Sequence, residues 1–408
     1  MLSIHTSNPR SAQIWRFSPV RVSQAPSNCL RIVVSDCGIR RSQHQQRATS
    51  RRSRRPQSLR AARRCCAPPA SAAAAAAAPA SAAMPARVLV SNDDGIDAPG
   101  LRALVLELSK LPAVEVYVCA PSEERSAQSH AVSLARFLAC HPHKDVDGAT
   151  AAYSVDGTPA DSVSLAIHGP VFGGGGFDLV VSGINRGDNC GLHVIYSGTV
   201  GAAREAACKG VPAIALSLDD YNARQVKDYG PSAAISAALV KALLSVLGES
   251  PSALADMSEG VVLNANFPAG PVSGMCGVKL THQGTGCFFP NYREVEEGAG
   301  PHMPQIEERT EETRMFRSFA GGYRKDGTEG SDMDGVAAGW TSVTPLGLRS
   351  DLLFKSRTGS INSGESALQE RHARGSVAVA AQVVARAAAA LGVSAAGVEG
   401  IEWPVGDA

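Results

Sequence analysis

The sequence predicts an α/β fold: a mostly parallel sheet with helices on both faces. Short runs rich in valine and isoleucine alternate with segments of helical periodicity, the pattern of strands joined by helical crossovers. The runs RVLV (87–90) and LVV (179–181) are near-continuously apolar rather than alternating, so both faces of those strands are expected to be covered.

The elements follow in order. RVLV opens the sheet. Leu101, Leu104, Val105 and Leu108 then keep the i, i+3, i+4, i+7 spacing of an amphipathic helix. VEVYVCA (114–120) is the second strand. In VDGTPAD (155–161) Thr158 is placed to cap a helix over 159–168, with Pro159 in its first turn. FDLVVS (177–182) is a strand, 197–209 a helix and PAIALS (212–217) a strand. A helix over 232–247 carries Ile235, Leu239, Leu243 and Val246 on one stripe. Beyond about 260 the pattern loosens. VVLNANFP, GVKLTHQG and TSVTPL (341–346) read as strands, 291–335 as long loops or an extended arm, and 376–391 as an alanine-rich helix with a loose tail. No stretch is read as the 18 or more apolar residues of a membrane span.

Charge divides the chain. Residues 1–83 hold fourteen arginines, no lysine and one acidic residue, Asp36, a net +13. The whole chain is +1, which leaves −12 on residues 84–408. A mildly acidic body argues against nucleic-acid backbone binding as its main task. The organisation expected is an Arg/Ser/Ala-rich extension over 1–83 and a folded domain over 84–350, with its α/β core ending near 260 and an arm region after it. A divergent tail over 351–408 follows. Two readings of the extension stay open. As a transit peptide it implies a chloroplast or mitochondrion; as a non-structural extension before a start at Met84 it implies the cytoplasm. RRSRR (51–55) also fits a nuclear signal or a nucleic-acid patch. Ten cysteines show no C-x-x-C spacing, so no zinc site is expected and the thiols read as buried or free.

In an open parallel sheet, ligands gather beyond the carboxyl ends of the strands. Four polar loops fall there: SNDDG (91–95), PSEERSAQSH (121–130), GINRGDN (183–189) and LDDYN (218–222). Adjacent carboxylates repel unless a proton or a cation relieves them. A cation held by Asp93 and Asp94, the Ser126 hydroxyl and the Asn185 amide oxygen would have only oxygen ligands, which select Mg²⁺, Mn²⁺ or Ca²⁺ over zinc. Against this stands an acidic turn, since Asn, Asp and Gly are turn residues, and Asp219–Asp220 is a rival pair. YSGT (196–199) opens a helix whose N-terminus would seat a phosphate, unless Ser197 or Thr199 merely caps it. Other motifs fail. GGGG (173–176) precedes a strand where a dinucleotide fingerprint follows one, no buried strand leads into Asp145-Val-Asp147, and His282 reads as a loop histidine.

Taken in series, VLVSNDDGIDAPG, SEERSAQSHAVSL, VDGTPADSVSLAI, DLVVSGINRGDN, VIYSGTVGAAREAACKGVPAIALS, LNANFP and SDMDGVAAGWTSVTPL resemble the survival protein E (SurE) family of metal-dependent 5′/3′-nucleotidases, in its plant-like form. The resemblance spans roughly 87–346. It implies a doubly wound, Rossmann-like core with a projecting C-terminal β/loop region used in homodimer or homotetramer contacts. It implies Asp93, Asp94, Ser126 and Asn185 as metal ligands, with Asp93 and Asp94 catalytic. Asn92, Asn189, Ser197, Gly198 and Thr199 would lie beside the phosphate. The activity implied is hydrolysis of nucleoside 5′- or 3′-monophosphates with Mg²⁺, Mn²⁺ or Ca²⁺ and no organic cofactor, away from membranes. A broad-range acid phosphatase and a catalytically silent nucleotide-binding homologue are the alternatives. Arg186, the acidic loop around 294–312 and the C-terminus depart from the family pattern.

Overall fold

A computed structural model describes residues 84–399, except 175, 296–312, 327 and 349–362. The extension 1–83, most of the acidic loop at 294–312, the start of the expected tail and the last residues of the chain lie outside the described residues.

In chain order the elements are β1 (Ala86–Ser91), α1 (Pro99–Leu108), β2 (Val114–Pro121), β3 (Cys140–Pro142), β4 (Ala151–Val155), α2 (Pro159–His168), β5 (Leu179–Arg186), α3 (His193–Tyr196), α4 (Gly198–Cys208), β6 (Ala213–Asp219), α5 (Gly230–Glu249), α6 (Pro251–Ser258), β7 (Val261–Pro268), β8 (Gly277–Leu280), β9 (Cys287–Val295), β10 (Met315–Arg324), α7 (Asp332–Ala337), β11 (Trp340–Gly347), α8 (Ser363–Leu391) and β12 (Ser394–Ala396). Ten strands form one sheet in the order β12-β8-β11-β7-β6-β5-β1-β2-β4-β3. All neighbours are parallel except β11 on β7 and β3 on β4.

The sheet is wound outward from β1: β2 and β4 follow on one side, β5, β6 and β7 on the other. The switch point therefore lies between the carboxyl ends of β1 and β5, where a doubly wound sheet opens a crevice. The apolar strands supply both cores. Val88 and Val90 face a core under α1, α5 and α8; Leu89 between them faces a second core under α2 and α4. Leu101, Leu104, Val105 and Leu108 are all fully buried on the inner face of α1. Thr158 caps α2 in a reciprocal capping box with Asp161, and Pro159 stands in the first turn.

Three expectations change, and the expected C-terminal β/loop region takes a definite form. β5 runs through Arg186 rather than ending at Ser182, after an irregularity between Ser182 and Asn185, so Asn185 sits on the strand's last turn of chain and not in a free loop. The arm around 291–335 contains an antiparallel hairpin, β9 on β10, whose Phe288, Phe289, Tyr292, Phe316, Phe319 and Tyr323 are exposed. The alanine-rich helix expected in the tail is present as α8, but its Val379, Val383, Val384 and Ala387 are buried in the first core, and β12 after it pairs with β8. Finally, one helical stretch among the described residues, Val226–Glu249, is long and apolar enough to cross a membrane. It holds Ile235, Leu239, Leu243 and Val246 in the first core, which is why a helix of the interior is apolar on most sides.

Candidate active site

β1 delivers Asn92, Asp93 and Asp94 into the switch-point crevice. Gly95 closes the turn at φ +99°, with the Glu123 backbone 3.2 Å from where a Cβ would stand. The Asn92 amide donates to Gly95 O at 2.8 Å, while its buried Oδ1 has no hydrogen-bond partner. Asp93 is buried and accepts a short hydrogen bond from the Thr199 hydroxyl. Burial raises its carboxyl above the usual range, opposed by that hydroxyl and by the N–H groups of Thr199, Asp93 and Gly198. The first amides of α4 are thus turned toward Asp93, and a Cβ on Gly198 would stand 2.8 Å from its Oδ2. Asp94 Oδ2 accepts from Arg186 N–H at 3.0 Å. Burial, and next the Asp93 charge, push the Asp94 carboxyl up to about 7. Two carboxylates side by side are disfavoured as anions unless a cation joins them.

The neighbouring oxygens are neutral. Ser126 donates its hydroxyl proton to Glu124 Oε1 at 3.0 Å, leaving its lone pairs for another partner. Asn185 donates its amide to Gly187 O at 2.9 Å, leaving Oδ1 as its acceptor. Among the described residues no group of three or more His, Cys, Asp or Glu side chains is arranged for a metal ion. An ion bound here would rest on two carboxylates and neutral oxygens, a hard set suited to Mg²⁺ or Mn²⁺. The buried unpartnered Asn92 Oδ1, the raised carboxyls and the uncommitted oxygens of Ser126 and Asn185 fit such a cation.

These residues face a cleft of about 510 Å³ whose lining includes Asp93, Ser126, Asn185, Asn189 and Ser197. Asn92, Asp94, Gly198 and Thr199 are close to lining residues in the chain but do not line the cleft themselves. Ser197 caps α4 through Val200 N–H at 3.0 Å, and Thr199 serves Asp93 instead of the cap. Asn189 is buried and donates to Ser217 Oγ at 2.7 Å. Of the rival pair, Asp219 ends β6 and Asp220 follows it, and neither lines the cleft. His282 bridges backbone oxygens of Gln283 and Glu329, in keeping with a loop histidine.

Three features had no local signal in the sequence. Glu124 reaches both Ser126 and Arg186. Asp188 bonds His193 Nδ1 at 2.9 Å and accepts from Tyr221 at 3.1 Å; Phe288 N–H donates to His193 Nε2 at 3.0 Å. Burial pushes Asp188 up, but the His193 hydrogen bond and charge outweigh it and hold the carboxyl below its usual range. Burial depresses His193, and Asp188 more than offsets it, leaving the imidazole raised. Lastly, Phe288, Phe289 and Phe319 of the hairpin form the cleft's apolar wall.

The profile of the family described as Survival protein SurE matches residues 88–289. The chain is 38% identical over 270 residues to "5'-nucleotidase SurE" of Symbiobacterium thermophilum, covering 64% of this chain and 93% of that protein. It is 39% identical over 265 residues to "5'-nucleotidase SurE 1" of Thermus thermophilus, covering 64% and 92%. The crystal structure of the SurE protein from Aquifex aeolicus superposes with a TM-score of 0.51 at 30% identity, covering 67% of this chain and 98% of that one.

Proposed function

The chain belongs to the survival protein SurE family, and from that premise we propose that it is a divalent-metal-dependent phosphomonoesterase that hydrolyses nucleoside monophosphates to nucleoside and phosphate. The observation that carries this is the pair Asp93 and Asp94 at the switch point, Asp93 buried and Asp94 half-buried, both with raised carboxyls, with Asp93 lining one cleft together with the neutral oxygens of Ser126 and Asn185. The relatives named 5'-nucleotidase support the substrate class. Asp93, Asp94, Ser126 and Asn185 would hold Mg²⁺ or Mn²⁺, which supplies the Lewis acidity that polarises a phosphoryl group.

The chain's own residues do the rest. The Thr199 hydroxyl and the α4 amides orient Asp93, so the carboxylate is fixed before substrate arrives. Arg186 N–H orients Asp94 in the same way. The Ser197 hydroxyl, whose oxygen caps α4, keeps its proton for a phosphoryl oxygen. The hairpin aromatics and Tyr196 offer flat apolar surface for a base beside the reacting phosphate. A homodimer or homotetramer built through the β9–β10 arm is part of this reading, supported by its exposed aromatic side chains.

The test is phosphate release from 5′- and 3′-nucleoside monophosphates, and from simple sugar phosphates, by the full chain stripped of metal and then given Mg²⁺ or Mn²⁺. Metal-restored release that favours nucleotides is expected. Equal turnover of sugar phosphates would replace the nucleotidase with a broad phosphatase, and no release from any substrate by protein that binds the cation would leave a silent binding protein.

A further inference from the structure

The cleft awaits an anion, yet its lining is poor in positive charge. The α4 amides face Asp93, and Asp93, Asp94 and Glu124 are all acidic. Among the described lining residues Arg186 is the only arginine or lysine. Its backbone N–H is fixed on Asp94, which anchors its Cα beside the carboxylate pair. Its guanidinium is held loosely: one nitrogen stands 3.4 Å from each Glu124 oxygen. Charge-assisted pairs close to about 2.7–2.9 Å, and the same molecule shows such forks at Arg386–Glu249 (2.8 and 2.9 Å) and Arg314–Glu294 (2.6 and 2.7 Å). The Glu124 side chain is 54% exposed, so releasing it into water costs little.

We propose that Arg186 is a movable anion clamp: Glu124 parks the guanidinium at the cleft mouth, and a phosphoryl dianion draws it off to bind the substrate's non-bridging oxygens. This rests on the phosphomonoesterase reading and names the group that recognises the phosphate's charge. The exchange is favourable because a long, partly exposed ion pair gives way to a planar fork on phosphate, the geometry guanidinium matches best. Glu124 then stays solvated and keeps its bond from Ser126. It acts as a positioning residue with two partners, so it links the resting place of the clamp to the hydroxyl expected on the metal.

Inorganic phosphate is the probe, titrated by calorimetry into the Mn²⁺-loaded full chain, with kcat and KM on a nucleoside monophosphate beside it. Arg186→Gln is expected to weaken phosphate binding and kcat/KM by roughly 10- to 100-fold, as loss of a charged hydrogen-bonding group does, while Mn²⁺ affinity stays at the wild-type value. Arg186→Lys restores part of the loss. Glu124→Gln tightens phosphate binding several-fold by freeing the clamp. In the double variant that gain disappears, which separates release of Arg186 from the mere removal of a negative charge. Phosphate binding in Arg186→Gln equal to wild type, a gain from Glu124→Gln that survives in the double variant, or no phosphate binding by wild type would each overturn the clamp. If Arg186→Gln does not fold, Arg186→Lys and the Glu124→Gln gain decide. Wild-type protein that binds phosphate but hydrolyses no monophosphate sinks the activity alone, and the calorimetric comparison still tests Arg186.

Discussion

Replacing Asp94 with asparagine should make the metal-free protein more stable at neutral pH, and by an amount that grows with pH. The ordinary carboxyl value is 3.8, and burial with the Asp93 charge moves it to about 7. Between these values the native state keeps a proton that the unfolded state has released. The unfolded state then binds fewer protons, so stability falls as pH rises. The sign is opposite to that of a salt-bridged aspartate. Roughly three pK units at about 1.4 kcal/mol each set a ceiling near 4 kcal/mol above pH 7. From pH 5 to pH 8 the loss on this group comes to roughly 2–3 kcal/mol. The asparagine variant keeps an oxygen for Arg186 N–H and carries no charge. Urea unfolding of chelator-stripped wild type and Asp94→Asn at pH 5, 6, 7 and 8 would therefore diverge as pH rises. Adding Mg²⁺ or Mn²⁺ should reverse the ranking, because ligand binding stabilises only the protein that holds it. Parallel pH–stability curves for the two proteins would refute the account of a carboxylate waiting for a cation.

Other changes test the surroundings of that pair. Gly198→Ala places a methyl 2.8 Å from Asp93 Oδ2; it should lower metal affinity at least tenfold, read by Mn²⁺ titration, with helix content by circular dichroism unchanged. Thr158→Ala removes the hydroxyl that accepts from Asp161 N–H at 3.0 Å and should cost about 1 kcal/mol in urea unfolding with hydrolysis unaltered. The Asp188–His193 pair gives a second pH signature. His193 is raised, so its stabilisation is full below the ordinary histidine range near 6.5 and fades as pH rises through the native value. Asp188 is lowered, so its part is full above the ordinary aspartate range and fades as pH falls through the native value. His193→Gln should erase the alkaline loss, which unfolding midpoints across pH 6 to 9 would detect as a flatter curve.

What the sequence made legible were features written within a few residues. The buried stripe of α1, the Thr158 cap and the apolar strands each combine short spacing with a steric or hydrogen-bonding demand, and each appears where expected. The length of β5 was not legible, because GINRGDN (183–189) is polar and glycine-bearing and reads locally as the end of a strand; Gly183 indeed adopts φ +138°. Here the chain passes the irregularity and pairs with β6 again at Asn185, a choice made by the neighbouring strand. The helix of α8 was legible over 376–391, but its place in the core was not, for a similar reason. Its alanines look neutral until α5 and β8 supply the surface that covers them.

The site divides along the same line. Asp93 and Asp94 stand out because two adjacent charges at a strand end are costly unless answered, but Asp219 and Asp220 make the same claim. Parallel strands bring the loops of Ser126 and Asn185 to that edge, and only the resemblance to the family singles those residues out. The groups that tune the pair cannot be read this way. Thr199 is 106 residues from Asp93 and Glu124 is 62 from Arg186, and nothing in either segment specifies the partner. The α4 N-terminus shows what is at stake. Read locally, it is an anion seat open to substrate; in three dimensions a glycine lets Asp93 occupy it first. A carboxylate there is held by donors that favour its charge, although burial still raises it. The positive end of the helix thus serves Asp93, and among the described lining residues of the cleft Arg186 is left as the one arginine or lysine.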